Sequence, residues 1–207
     1  EASWQPDWIL RAERIHLDRV EDVGTAENGV LEFKGVPVLP IPRITFPLSD
    51  RRKSGLLPPT LGLDSVSGFE YAQPYYWNIA PNRDATITPT VMTRRGVALG
   101  TEFRYLEPRY SGELTADYMP NDRLRDRDRW AYGIKHRATF DTPAGGVGLG
   151  IDIKRVSDDN YWRDFSQRNS GRSGVNDQLT QRLLPGDATL NWARGEHSLL
   201  LRTLKWQ

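Results

Sequence analysis

Along most of this chain, hydrophobic and polar residues alternate one by one. Over 130–140 the even positions carry Trp130, Tyr132, Ile134, His136, Ala138 and Phe140, and the odd ones Ala131, Gly133, Lys135, Arg137 and Thr139. Val147, Leu149, Ile151 and Ile153 alternate with Gly148, Gly150, Asp152 and Lys154. Val97, Leu99, Phe103 and Tyr105 oppose Gly100, Glu102 and Arg104, and Leu114, Ala116 and Tyr118 oppose Glu113, Thr115 and Asp117. Ala85, Ile87, Pro89 and Val91 repeat the pattern. Neighbours in a strand point to opposite faces, so a period of two predicts strands with one apolar and one polar face. Helical periodicity is almost missing.

Turn signals at 80–83, 94–96, 108–112, 120–129 and 142–146 separate these runs, which predicts an antiparallel meander. Strands of about ten residues, at ~3.3 Å per residue and a tilt of about 40°, rise about 25 Å, the height of the apolar band of an outer-membrane barrel. Soluble sandwiches more often use strands of about five or six residues. Alternation alone fits either a soluble sheet with its apolar face inward or a barrel with its polar face inward. Two features favour the barrel. Trp77, Tyr105, Tyr118, Trp130 and Trp192 fall near strand ends, where an interfacial girdle lies. The polar face carries both signs, in Glu102, Arg104, Asp117, Lys135, Arg137, Asp152 and Lys154, which suits a hydrated, lumen-facing surface.

The first 48 residues read differently. Three strand-like segments, 8–18, 24–33 and 36–48, are separated by Glu21-Asp-Val-Gly24 and Lys34-Gly35. Val36, Val38, Ile44 and Phe46 are expected to line one apolar face. Pro37, Pro40, Pro42 and Pro47 deny the third segment a full ladder and predict an edge or domain-exit strand. Three strands cannot close a core. A domain boundary is expected at 49–55, with barrel strands over 56–207. Patterning lapses between 157 and 187: Asp158-Asp-Asn-Tyr-Trp-Arg-Asp-Phe165 reads as one helical turn or a loop lip, and 167–176 as a polar loop. It returns over 187–194 and 198–206. The fold class expected is all-β, with about nine strands of an incomplete barrel.

Composition changes this picture little. The 207 residues carry 28 basic and 27 acidic side chains, interleaved, for a net charge of +1, so there is no electrostatic footprint for nucleic acid. Cysteine is absent, which excludes a disulfide framework and thiolate metal sites within the chain. No apolar run approaches the ~18 residues of a membrane helix. Mean hydropathy is −0.61, yet barrel strands hide their lipid face in alternate positions. No signal peptide opens the chain and Leu204-Lys-Trp-Gln207 stops inside a strand pattern, so a segment of a longer protein is expected.

Catalysis has no foothold. His16, His136 and His197 lack ligand spacing. Gly146-Val-Gly-Leu-Gly150 opens no helix and reads as small residues admitting close neighbours. Gly171-Arg-Ser-Gly174 misplaces the second glycine of a nucleophile elbow. Asp122-Arg-Leu-Arg-Asp-Arg-Asp-Arg129 reads as a solvated, self-neutralised loop, in which Asp126 and Asp128 offer at most a cation site. No catalytic group, metal site or cofactor is predicted.

Two longer strings are more specific: Asp50-Arg-Arg-Lys-Ser-Gly-Leu-Leu-Pro-Pro59 and Pro74-Tyr-Tyr-Trp-Asn-Ile-Ala-Pro-Asn82. With Met92-Thr-Arg-Arg-Gly96, Glu102-Phe-Arg-Tyr-Leu106, Asp117-Tyr-Met-Pro-Asn-Asp122 and Val156-Ser-Asp-Asp-Asn-Tyr161, they resemble the LptD family of outer-membrane lipopolysaccharide-assembly proteins over roughly 8–166. The resemblance implies that 1–48 are the last strands of a periplasmic β-jellyroll with a lipid groove at Val36, Val38, Ile44 and Phe46, followed by a barrel in the outer membrane. It also implies that Pro59 and Pro74, on first and second strands expected at 56–65 and 68–77, form a lateral gate by weakening the seam where the barrel closes. Pro58 adds a second proline at the first position. The implied partners are lipopolysaccharide, outer-membrane lipid, a plug lipoprotein, LptE, and a periplasmic bridge protein, LptA, docking through a region beyond this chain. A passive porin-like or structural barrel shares the alternation but has no use for prolines on its first strands or for an attached jellyroll.

Overall fold

The computed structural model describes residues 8–48, 52–165 and 185–206. It is almost entirely antiparallel strand, in two separately hydrogen-bonded sheets. The first comprises β1 (Trp8–Asp18), β2 (Val23–Phe33) and β3 (Val36–Pro47), in that order. The proline-rich β3 lies at an edge, as residues without an N–H require. The β2–β3 turn has positive φ at both Lys34 and Gly35, the conformation that matches the twist of a two-residue hairpin.

The expected single apolar face of β3 does not form. Leu39 pairs with Leu31, but Pro37 pairs with the next residue, Glu32. That extra residue, Val38, reverses the alternation. Ile44 and Phe46 therefore share a face with Ala26 and Gly24, while Val36 falls on the face of Leu31 and Phe33. The Ile44 end is the packed one: Ala26 is fully buried, and the Phe46 ring occupies the space a side chain on Gly24 would need.

Among the described residues the second sheet has eleven strands. They are β4 (Gly55–Leu56), β5 (Thr60–Asp64), β6 (Gly68–Ala72), β7 (Tyr75–Ala80), β8 (Arg83–Met92), β9 (Gly96–Leu106), β10 (Tyr110–Asp122), β11 (Arg127–Thr142), β12 (Gly145–Val156), β13 (Pro185–Arg194) and β14 (His197–Trp206). From β8 to β14 each strand pairs with its sequence neighbours; β6 and β7 both pair with β8, β5 with β6, and β4 with β7. Counting β4 with β5 and β6 with β7, the sheet holds nine strands, and it is not closed. One helical turn, α1 (Tyr161–Asp164), follows β12.

The two ends of this sheet differ. The connections at one end are short: 81–82, 107–109, 143–144 and 195–196. The other end has the turns 65–67, 93–95 and 123–126, and the long connection between β12 and β13 that contains α1. Its two faces differ more. Trp77, Leu99, Tyr118, Trp130, Tyr132 and Phe140 line the apolar face and are each at least 39% exposed. Most of the buried residues, among them Asp84, Arg95, Asp122 and Arg129 beside Met92, Ala98, Met119 and Ala131, belong to the polar face and its turns, while the small Ala138 is buried on the apolar face. A soluble sheet buries the opposite set.

Aromatic side chains mark both ends of the apolar face. Tyr118 pairs directly with Trp130, which stacks on Tyr132 at 5.7 Å. Toward the short-turn end lie Trp77, Tyr105, Tyr110, Phe140 and Trp192. There the Tyr105 ring crosses Gly112, where it occupies the space a Cβ would need, to meet His136 Nδ1 at 2.6 Å.

Candidate functional site

The free edge formed by β4 and β5 is broken by proline. Strands expected to run unbroken through 56–65 and 68–77 each divide in two, at Pro58-Pro59 and at Gln73-Pro74. Leu56 pairs with Tyr75, but Thr60 pairs with Ala72, so three residues of the first strand face two of the second. Neither Pro58 nor Pro59 has an N–H to bridge that mismatch. The fault continues inward. Gln73 stands opposite Pro89 of β8 and donates its N–H to the Pro89 carbonyl at 3.0 Å. Opposed residues of this kind exchange two bonds, and Pro89 cannot return the second. Prolines thus line up across three successive strands.

Gln73 spans the gap. Its side-chain amide donates to the Leu57 carbonyl at 2.8 Å and to the Pro74 carbonyl at 3.2 Å, and its Oε1 accepts from the Tyr71 hydroxyl at 2.9 Å. The Leu57 N–H donates to the Pro74 carbonyl at 2.9 Å. Beyond the fault, the β5–β6 hairpin is held to β8 by the pairs Glu70–Met92, Tyr71–Val91 and Ala72–Thr90, with further bonds at its tip.

Below the fault, the segment entering β4 is clamped to the sheet. Arg52 donates to the Tyr76 hydroxyl at 2.7 Å and the Pro81 carbonyl at 3.1 Å, and its guanidinium meets Asp84. Asn78 donates its backbone N–H to Ser54 Oγ and its side-chain amide to the Arg52 carbonyl, each at 2.8 Å. Asp84 is buried and takes a bidentate pair from Arg104 at 2.8 and 3.0 Å.

At the opposite end lies a buried ion cluster. Arg95 and Arg129 are fully buried, as is Asp122. Asp122 Oδ2 accepts from Arg95 at 2.6 Å and from Arg129 at 3.2 Å. Arg129 also donates to Asp164 at 3.0 Å and stands 2.6 Å from Asp158. Arg125 grips Asp164 at 2.8 and 2.9 Å. The Phe165 ring lies 5.0 Å from the Arg95 guanidinium and 5.2 Å from that of Arg129. Burial raises the pKa of Asp164, but the bonds from Arg125 and Arg129 outweigh it and hold the carboxyl below its ordinary 3.8. The string 122–129 is therefore no solvated loop, because its first and last members are buried ion partners. Asp128 accepts from the Asn121 N–H and the Tyr118 hydroxyl, which makes it a turn cap. Among the described residues no group of three or more acidic, His or Cys side chains is placed to hold a metal.

The register brings Glu102, Arg104, Asp117, Lys135, Arg137, Asp152 and Lys154 onto one face. One row runs straight across β8 to β13 as Asp84, Arg104, Glu113, Lys135, Asp152 and Asp187. These residues, Asp84 aside, line an open hollow together with Arg137. Gly148 and Gly150 lie inside β12, close against Asn191 and Thr189, in keeping with small residues that admit neighbours. The string 171–174 lies outside the described residues.

A family profile described as "LptD protein" matches residues 25–149, and a second, "LPS transport system D", matches 127–207. The chain belongs to the LptD family. It is 69% identical over its whole length to the LPS-assembly protein LptD of Paracidovorax citrulli, 58% identical over 99% of its length to that of Albidiferax ferrireducens, and 46% identical over its whole length to that of Burkholderia ambifaria. It spans about a quarter of these LptD relatives, between 25% and 26% of each.

Set on the LptD framework, the structure divides the sequence-predicted residues into three groups. Pro59 and Pro74 meet at one fault, the seven charged residues share one face, and the four β3 residues do not share one. Sequence reasoning missed Gln73, Pro89, Arg95 and Arg129. Pro89 was legible as a third proline fifteen positions after Pro74, one hairpin on. Arg129 continues the odd series of Lys135 and Arg137 on β11. Gln73 and Arg95 carry no periodic signal, since each acts from a strand end.

Proposed function

We propose that the eleven-stranded sheet is the first part of an outer-membrane barrel that assembles lipopolysaccharide into the outer leaflet, with the broken hairpin β4–β7 as its lateral exit. The three-stranded sheet is then the end of a periplasmic jellyroll that delivers the acyl chains, and the charged face lines the lumen that the saccharide crosses. Family membership supports the cargo, because the relatives are named LPS-assembly proteins. The exposed apolar face with aromatics at both ends supports immersion in lipid. On this reading the short-turn end, where the chain enters from the first sheet, is periplasmic and the long-connection end external. LptE as plug and LptA as bridge follow from the family resemblance.

The observation that carries the exit is the alignment of Pro58, Pro59, Pro74 and Pro89 at the free edge. No water replaces a ladder bond broken inside a membrane wall. A wall that must part is therefore easiest to part where the bonds were never made. A passive porin gains nothing from such a fault.

In the full-length protein, replacing Pro59 and Pro74 together by Ala restores two donors and is expected to slow lipopolysaccharide delivery several-fold at unchanged levels of assembled barrel. The measurement is surface lipopolysaccharide per folded barrel. Normal delivery at normal barrel level would overturn the assignment of the exit.

A further inference from the structure

We infer that the loop carrying α1 restrains the β5–β6 hairpin through Arg95, so that the external ion cluster sets how readily the exit opens. This rests on the broken hairpin being the exit.

The hairpin tip is fastened to the 93–95 turn. Thr93 N–H donates to the Phe69 carbonyl at 3.0 Å and Arg94 N–H to the Ser67 carbonyl at 3.1 Å. Phe69 N–H donates to Thr93 Oγ1 at 3.0 Å, and the Arg94 guanidinium reaches the Ser65 carbonyl. These bonds hold tip to turn. Arg95 carries the connection on into the cluster: its Nε donates to Ser67 Oγ at 3.0 Å while its Nη1 donates to Asp122 at 2.6 Å. Both Ser67 and Arg95 are buried.

From Asp122 the connection runs through Arg129 to Asp158, ahead of α1, and to Asp164, its last residue. Phe165 packs against both guanidinium groups. A buried guanidinium cannot exchange a lost carboxylate for water, so it moves toward another partner. Displacing the loop therefore pulls Arg129 and Asp122, and through them Arg95, off Ser67. The hairpin has little ladder to resist, being interrupted by prolines on one side and joined to β8 by three residue pairs on the other. A force applied at α1 is thus delivered to the weakest part of the wall. Anything that seats or lifts this loop, the emerging saccharide included, acts on the exit.

The test is hydrogen exchange in the full-length protein, folded in detergent, comparing the stretch 60–72 with a control stretch 110–119. Ser67→Ala removes the last bond of the connection, and Asp164→Asn weakens its far end. Each is expected to speed exchange over 60–72 about three- to tenfold, the effect of one net hydrogen bond, with 110–119 unchanged. The double variant should exchange no faster than the faster single one, because both act through the same bond. An Asp164→Asn variant that leaves 60–72 at its wild-type rate would overturn the inference. So would two effects that multiply in the double variant. Should the coupling appear while the Pro59→Ala, Pro74→Ala protein delivers normally, the coupling stands and the exit lies elsewhere.

Discussion

The β8–β12 body and the β4–β7 edge belong to one sheet, with the same strand chemistry and the same two faces, yet they are built for opposite ends. In the body residues 99–106 and 111–118 pair one to one without a slip, and the polar face is fixed by buried guanidinium–carboxylate bonds. At the edge, prolines remove donors on both broken strands and, through Pro89, on the facing strand β8, and a glutamine side chain bridges the gap. If the fault is the exit proposed above, the comparison teaches that a β-wall can be both strong and openable when its missing bonds are collected on one line. Scattered, the same missing bonds would weaken the whole sheet and create no seam.

The sharpest way to break this comparison is to attack the body. Arg129→Ala takes one buried partner from each of Asp122, Asp158 and Asp164, leaving Asp122 to Arg95 and Asp164 to Arg125, and about 3 kcal/mol of stability should be lost. The fraction of full-length protein that migrates as folded barrel measures it. An undiminished folded fraction would mean the cluster contributes nothing to the wall. Next comes the facing of the strands. Arg at Leu99 or Ile151 should cost about 2–4 kcal/mol near mid-membrane, while Arg at Asp152 should be far better tolerated. Equal sensitivity, read as folded fraction in lipid, would abolish the distinction between the faces.

Smaller effects sharpen the edge. Gln73→Ala removes the bridge and should loosen the fault by about 1 kcal/mol, seen as roughly fivefold faster exchange over 55–75 with the body unchanged. Slower exchange there would show that Gln73 strains the hairpin instead of closing it. The smallest effect is in acid. The pKa of Asp164 is lowered in the folded protein, so its contribution is complete above the ordinary carboxyl value near 3.8 and is lost as pH falls through the lowered one. Thermal stability of the barrel should be flat from pH 7 to 5 and fall below pH 4, less steeply in Asp164→Asn. An equal acid slope in both proteins would remove Asp164 from the account.

Much of the fold was legible because alternation is a local signal. The strands at 8–18, 130–140 and 147–153 and the turns at 94–96 and 142–146 follow from neighbouring residues, and for 158–165, read as a helical turn or a loop lip, the structure has the helical turn. What alternation does not encode is a change of parity. The extra residue Val38 reverses β3 and separates Val36 from Ile44, and the mismatch at Pro58-Pro59 splits β4 from β5. The ion cluster was hidden for a related reason. A run of alternating charges reads as solvated, and only the return of α1 over the polar face buries Asp122 and Arg129.

The charged row from Asp84 to Asp187 has a consequence for whatever passes along that face. Its first five members alternate in sign, and strands stand about 4.8 Å apart, so their fields largely cancel within the ~8 Å over which physiological salt leaves charges visible. A phosphorylated sugar moving past would meet many partners for brief hydrogen bonds and no deep electrostatic well. On the proposed reading the surface is slippery without being inert: it would wet a large polar passenger and have no reason to keep it.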